Sequence, residues 1–336
     1  LQGLHVPPFS DIDAIGAFDA ALQANERVVL DFSRIGFAVP TGMLLLASVI
    51  SRAVEAGRVT ATVGAKPYDY PANMGFYDAC GLHVPRHDAA GSATYYPITK
   101  HDVRMIKAIA AKAGKPVGEQ VNMMVGRLAY LITRKTSGNL FFTVRYCLRE
   151  IIRNIAEHSE SDDFLVMGQF WPQSRDVELA VLDRGIGLQR SLANNPKFAA
   201  LGSDRKAIRI ALLPSTSGKK IYEKAHAMDT KDTDGEWGNS GFGLYITSQM
   251  ARATGRFVIG SGNARLEFAR NAKYNGDFFL PGTLVSMTVN VDKLGQLEAA
   301  LKAISDRGEA FARRYLTAGA DVIASAASRL LMENEQ

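Results

Sequence analysis

The sequence predicts an α+β fold, and three features carry that prediction. The first 65 residues alternate helix and strand patterns, and two amphipathic helices follow between about 118 and 158. Five strand patterns are then joined at hairpin-type spacings up to residue 291. With 47% hydrophobic and 22% charged residues, the composition is that of a chain that buries a core rather than one that stays disordered. At 336 residues it exceeds one ordinary core, so two domains and an appended helical tail are expected.

Residues 11–25 set Ile15, Phe18 and Leu22 at helical spacing, and the run Val28-Val29-Leu30-Asp31-Phe32 reads as a buried strand. Pro40 and Gly42 precede MLLLASVISRAVEAG, a helix ending on Gly57, and the alternating VTATV of 59–63 supplies a second strand. That order gives a small α/β domain with a parallel pair of strands. Pro85, Gly91 and Pro97 interrupt the periodicity over 84–101 and place a domain boundary at about 95/96.

Val121, Met124, Val125, Leu128, Leu131 and Ile132 then repeat at three and four along a helix over 118–134, and a longer helix follows over 140–158. Strands are expected at 164–171, 177–183, 256–262, 264–269 and 282–291, so the domain over 96–292 reads as helices layered on a mixed sheet. Residues 293–336 are rich in Ala, Leu, Arg and Glu and read as one or two helices, with Gly308 and Gly319 as breaks.

The net charge of +5 permits an acidic partner, but Lys and Arg are scattered and never form a run, so a nucleic-acid role has no support. Cys80 and Cys147 form no CxxC and no zinc-type cluster, which fits a reducing, cytoplasmic setting without a structural metal. The apolar stretch Met43 to Ile50 is far shorter than the roughly 20 residues of a membrane span, and no membrane association is expected.

Three short motifs in the second domain carry chemistry. In LREIIRNIAEHS, Glu150, Asn154 and His158 fall four apart and share one helix face, which on its own reads as a solvated face. In LDRGIG, Asp183 ends a strand and Gly185 and Gly187 form the turn after it, where glycine lets a backbone approach a ligand closely. In GEWGNSGFGLYI, Gly238, Gly241 and Gly243 precede a helix beginning near Leu244, and free N–H groups at a helix start suit phosphate. No GxxxxGK[ST] loop occurs, and Ser217-Gly218-Lys219-Lys220 lacks the hydroxyl residue after lysine.

Taken in order, the ExxxN helix, the DxGxG turn and the glycine-rich loop before a helix resemble the N, G1 and G2 boxes of the GHKL (Bergerat-fold) ATPases. The resemblance covers about 140–291, and Pro281-Gly282-Thr283 is similar to the segment common in the kinase branch. It implies a C-terminal Bergerat sandwich that binds ATP and Mg²⁺. Asn154 would be the metal ligand, Asp183 would accept the adenine amino group, and Thr283 would reach the base beside it. Gly185 and Gly187 would pass the base and sugar, and Gly238, Asn239, Ser240, Gly241, Phe242, Gly243 and Leu244 would surround the phosphates. Glu150 would orient or deprotonate the attacking nucleophile, His158 would pack at the helix end or contact the phosphates, and 188–237 would form a mobile lid.

The stretch VVLDFSRIGFAVPTGMLLLAS is similar to the strand-turn-helix core of STAS domains over about 10–85, making 1–95 a STAS-like front domain. Where phosphorylated STAS proteins carry serine this chain has Pro40, so an ordinary phosphoacceptor is not expected there; Thr41 stands beside it, and both residues suit a plain helix start. The aromatics of NMGFYDACGL (73–82) read as packing. None of His5, His83, His87 or His101 has the setting of a histidine-kinase phosphoacceptor.

The expected function is that of a nucleotide-controlled regulatory or signalling protein with slow ATP hydrolysis. A protein partner is expected at the front domain or the tail, and a homodimer stays open. One alternative is an anti-sigma-type serine/threonine kinase acting on a separate STAS-like partner. A DNA-linked ATPase is a further alternative, and it would need a transducer domain where only 45 residues follow Val291.

Overall fold

The computed structural model describes residues 2–87, 94–216, 241–268, 272–275, 279–295 and 297–315. Its front unit is a three-stranded parallel sheet in the order β1 (Gln2–His5), β2 (Val28–Asp31), β3 (Val59–Val63), joined by α1 (Ala14–Ala24) and α2 (Pro40–Glu55). β1 was not expected, because its four residues, QGLH, hold no readable period. Pro40 opens α2, where its fixed φ and missing N–H suit the first turn. Two short helices, α3 (Tyr70–Asn73) and α4 (Phe76–Ala79), complete the unit. Phe76 and Tyr77 are buried there and pack edge-on against Phe9 and Phe32.

The second sheet has seven strands, of which β4 (Tyr95–Asp102) and β5 (Asp163–Trp171) come first, then β6 (Asp176–Asp183) and β7 (Gly255–Gly262). The others are β8 (Ala264–Phe268), β9 (Ala272–Asn275) and β10 (Leu280–Asn290), and the order is β4-β5-β6-β10-β7-β8-β9. The expected mixed sheet is corrected, since every pairing is antiparallel. β6 and β7 do run in the same direction, but β10 lies between them and pairs with both, so no parallel ladder forms.

The expected linker over 84–101 is corrected in part: β4 forms an edge strand there, and Pro97 sits where its register slips between Tyr96 and Thr99. An edge strand tolerates proline because one row of its N–H groups has no ladder to serve. Helix α5 (Val103–Lys112) follows and was not expected either. The front face of the sheet is covered by α6 (Val117–Thr133) and α7 (Gly138–Asn154), with α10 (Gly243–Thr254) and α11 (Leu297–Tyr315) beside them. Gly308 does not break the tail, because α11 runs through it; a Cβ there would lie 2.6 Å from the Tyr245 ring, so the glycine permits close packing on α10. Gly319 lies outside the described residues. The segment 188–237 is also more regular than expected, holding α8 (Gly187–Ala193) and α9 (Asp204–Ala211), while 217–240 lies outside the described residues.

Strand alternation gives the large sheet two apolar faces. Val177, Leu179 and Val181 of β6 face the helices with Val285, Met287 and Val289 of β10, whereas Ala180, Leu182 and Leu284 face the front unit. α2 lies against that second face and is buried on every side from Pro40 to Ser51, as a helix apolar all round should be. The two units therefore share one core across a seam.

Polar ties stitch the same seam. Arg265, 2% exposed, donates to the Ile12 carbonyl at 3.0 Å and pairs with Asp13, and the Tyr70 hydroxyl donates to Gln169 at 2.5 Å. Phe37 stacks on Trp171 with ring centroids 4.8 Å apart. Thr41 is not an open neighbour of Pro40: it is 1% exposed, and its hydroxyl lies 2.7 Å from both Glu178 Oε1 and Ser286 Oγ on the sheet. No helix among the described residues is long and apolar enough to cross a membrane.

Gly42 marks how tightly α2 is set, since a Cβ there would fall 1.8 Å from the Phe9 carbonyl oxygen. Gly42→Ala is expected to destabilise the fold by about 1–3 kcal/mol, the range for overpacking a filled site. Urea unfolding checks it, and an unchanged midpoint would contradict the packing described.

Candidate functional site

Helix α7 brings the first motif into place. Its apolar side packs in the core through Leu148, Ile151 and Ile152, and Glu150, Asn154 and His158 follow at four-residue steps. The sequence reads one α-helix to 158, but α7 ends at Asn154 and a π-helical turn, Ile155–Ser159, finishes it. Such turns recur at functional sites because the wider turn re-aims its side chains. The Ser159 hydroxyl donates to the Ile155 carbonyl at 2.8 Å, and Glu160 closes the turn at φ 56°.

The end of β6 supplies the floor. Asp183 is 2% exposed and faces the helix layer, and the β6–β10 register sets Thr283 directly opposite, on the same face. The Gly185 N–H donates to Asp183 Oδ1 at 2.8 Å. A Cβ on Gly185 would fall 1.9 Å from the Ser159 carbonyl oxygen, so only glycine lets this turn pass beneath the π-helical one. Burial pushes the Asp183 carboxyl up to about 7, against the pull of N–H groups from Gly185 and Thr283.

These elements enclose a cleft with about 840 Å³ of empty space, counted out to its open mouth. Asn154, Asp183, Gly187, Gly241, Gly243, Leu244 and Thr283 all line it, as does His158. Apolar walls come from Ile151, Ile155, Leu188, Leu192 and Val285. A single buried carboxyl between aliphatic walls suits a flat, largely apolar group that carries a hydrogen-bond donor.

Other expected site residues fall elsewhere. Gly185 orients Asp183 from below instead of lining the cleft. The Phe242 side chain is buried in the core against Tyr245, and Gly238, Asn239 and Ser240 lie outside the described residues. Glu150 is not on the wall. Both Nε and Nη2 of Arg149 hold its Oε1, at 3.0 and 2.6 Å, and its Oε2 lies 1.8 Å from where a Gly243 Cβ would be. The carboxylate thus sits against the start of α10, where a negative charge complements the helix dipole. His158 lines the cleft.

Two contributors were not anticipated. The Thr216 hydroxyl is buried at the cleft with no hydrogen-bond partner among the described residues, and the Thr216 N–H donates to the Gly241 carbonyl at 3.2 Å. Nothing in the polar run Ser215-Thr216-Ser217 distinguishes it from an ordinary loop. Ser261 Oγ donates to the Gly282 carbonyl at 2.8 Å and accepts from the Leu188 N–H at 2.9 Å, tying β7, β10 and α8 together under the cleft. A serine within the apolar strand RFVIGSG was the available signal.

Among the described residues no group of three or more His, Cys, Asp and Glu side chains is arranged to hold a metal ion. Comparison of the chain with protein-family models, curated proteins and solved structures finds no match in any of the three.

Because burial favours the neutral acid, ionising Asp183 weakens the fold. Its folded pKa of about 7 lies above the ordinary Asp value of 3.8, so its proton stabilises the folded state fully below about 4, and this is lost as pH rises through 7. The carboxyl ¹³C resonance of Asp183 is expected to titrate near 7, and titration in the ordinary Asp range would contradict the burial.

Proposed function

We propose that the protein binds ATP with Mg²⁺ in this cleft, in the manner of a GHKL ATPase, and serves as a nucleotide-controlled regulatory protein in which binding outweighs turnover. The observation that carries the reading is Asp183: one buried carboxyl, opposite Thr283, at the bottom of a cleft with aliphatic walls. Ionised, above about pH 7, the carboxylate only accepts hydrogen bonds, so it would take the adenine amino group and reject guanine, which presents a carbonyl at that position. Ile151, Ile155, Leu188 and Val285 would sandwich the ring.

The residues present fit the rest of the nucleotide. The unpartnered Thr216 hydroxyl offers a polar contact, and Gly241 and Gly243 put the start of α10 on the cleft wall, where helix-start N–H groups suit a phosphate. Asn154 would offer its side-chain oxygen to Mg²⁺. With no carboxylate cluster among the described residues to help it, that ion would need phosphate oxygens, so metal binding would follow nucleotide binding. When bound, Mg²⁺ neutralises phosphate charge.

Slow turnover follows from the placement of Glu150. A general base must reach the proton it takes, directly or through one water, and Arg149 and Gly243 hold this carboxylate off the wall. Phosphorylation of the chain's own Thr41 is disfavoured further, because Thr41 lies on the opposite face of the sheet from Asp183. The front domain is read as STAS-like and the second as a Bergerat sandwich, with the antiparallel sheet a departure from the mixed one the resemblance implied.

Calorimetric titration with Mg-ATP and Mg-GTP tests the reading. Binding of ATP at least about tenfold tighter than GTP is expected, equivalent to about 1.4 kcal/mol. Asp183→Ala should abolish it, whereas Glu150→Ala should keep binding and lose the residual turnover. Equal affinity for both nucleotides, or none for either, would sink the assignment.

A further inference from the structure

A buried polar cluster sits at the seam, on the side of the sheet away from the cleft. Glu178 of β6 is 5% exposed, and its Oε1 accepts the Thr41 N–H at 3.0 Å. The Thr41 hydroxyl oxygen lies 2.7 Å from that same Oε1 and 2.7 Å from Ser286 Oγ, which lies 3.0 Å from the Leu179 carbonyl oxygen. Three short oxygen-to-oxygen contacts therefore stand in series. Two hydroxyl protons can fill only two of them, leaving the third as lone pair against lone pair. The Leu179 carbonyl carries no proton, so a third has one place to reside, the Glu178 carboxyl.

The surroundings of Glu178 agree. Its strand neighbours across the sheet are Gln169 on β5 and Thr288 on β10, both neutral, and Thr41 of α2 covers it. The other titratable groups that face it are Arg256 of β7, Asp176 of β6 and the Tyr70 phenol of α3. Arg256 is engaged with Glu267 at 2.8 Å, and no ion pair among the described residues includes Glu178. A buried carboxylate without a cation favours its neutral form, and here burial raises the carboxyl's affinity for a proton.

We propose that Glu178 is held as the neutral acid and that its proton completes a relay from Glu178 to Thr41, from Thr41 to Ser286 and from Ser286 to the Leu179 carbonyl, making the docking of the front unit on the sheet a proton-dependent latch. The proton comes from solvent as the chain folds and returns to it when the seam opens. No bond other than O–H is made or broken. Raising the pH strips the relay of its third proton and leaves an unpaired charge in the seam, so docking weakens in alkali.

Urea unfolding of the wild type and Glu178→Gln tests this between about pH 5.5 and 7.5, where an unfolded glutamate is already ionised. The folding constant of the wild type, divided by that of the variant, is expected to fall about tenfold per pH unit, the signature of one proton taken up on folding. A ratio that stays flat would overturn the proposal. Should the variant not fold, infrared spectra of Asp183→Asn at about pH 6.5 decide, since ordinary carboxyls are then ionised and Asp183 no longer contributes. A protonated-carboxyl band that shifts in the added presence of Thr41→Val is expected; no such band overturns the latch.

Discussion

A sheet apolar on both faces has to be covered twice, and that requirement organises the molecule. Helices α6, α7, α10 and α11 cover one face, and α2 covers the other along β5, β6 and β10. The hydrophobic effect works on area without regard to chain order, so the front unit becomes a layer of the same core instead of a tethered companion. This explains why α2 has no polar side over its first three turns and why Arg265 is buried where it meets Asp13 and the Ile12 carbonyl of the front unit. It also separates two jobs: alternate residues of β6 and β10 serve the cleft and the seam, Asp183 and Thr283 looking one way and Glu178 and Ser286 the other.

The cleft depends on close approaches as much as on side chains. Gly185 passes under the Ser159 carbonyl, Gly243 accommodates Glu150 and Gly187 takes a left-handed φ of 71° beside Ser261. Each leaves room for a neighbouring group where a Cβ would collide. The result is a floor of backbone and one carboxyl beneath aliphatic walls, built before any ligand arrives. Pre-formed sites of this kind bind without a large ordering cost.

Most of the large sheet was legible because its strands are long, apolar and bounded by turn residues, as in VELAVLD and GTLVSMTVNV. Strand direction was not, since nothing local records that β10 would insert between β6 and β7. β4 was hidden by Pro97 and β1 by its brevity, whereas α5 carried a helical period, Val103, Ile106 and Ala110, that went unread. In the cleft, residue types and spacing brought Asn154, Asp183, Gly241, Gly243 and Thr283 into view together. The orientation of Glu150 was invisible, because helical spacing gives the side of a helix but not the grip of the adjacent Arg149. The run MLLLASVI held an unread sign: with apolar residues on every side, it asked for cover on two faces.

The seam also has a consequence in time. α2 is complete at Glu55, but β10, against which it packs, ends at Asn290. During synthesis a helix that is buried on every side in the folded protein therefore leaves the ribosome long before its second cover exists. Contacts so distant in sequence close late and slowly, and exposed apolar surface in the interval invites association with other chains. A chaperone hold on the emerging front unit, released once the last strand is made, is the kind of assistance this topology calls for.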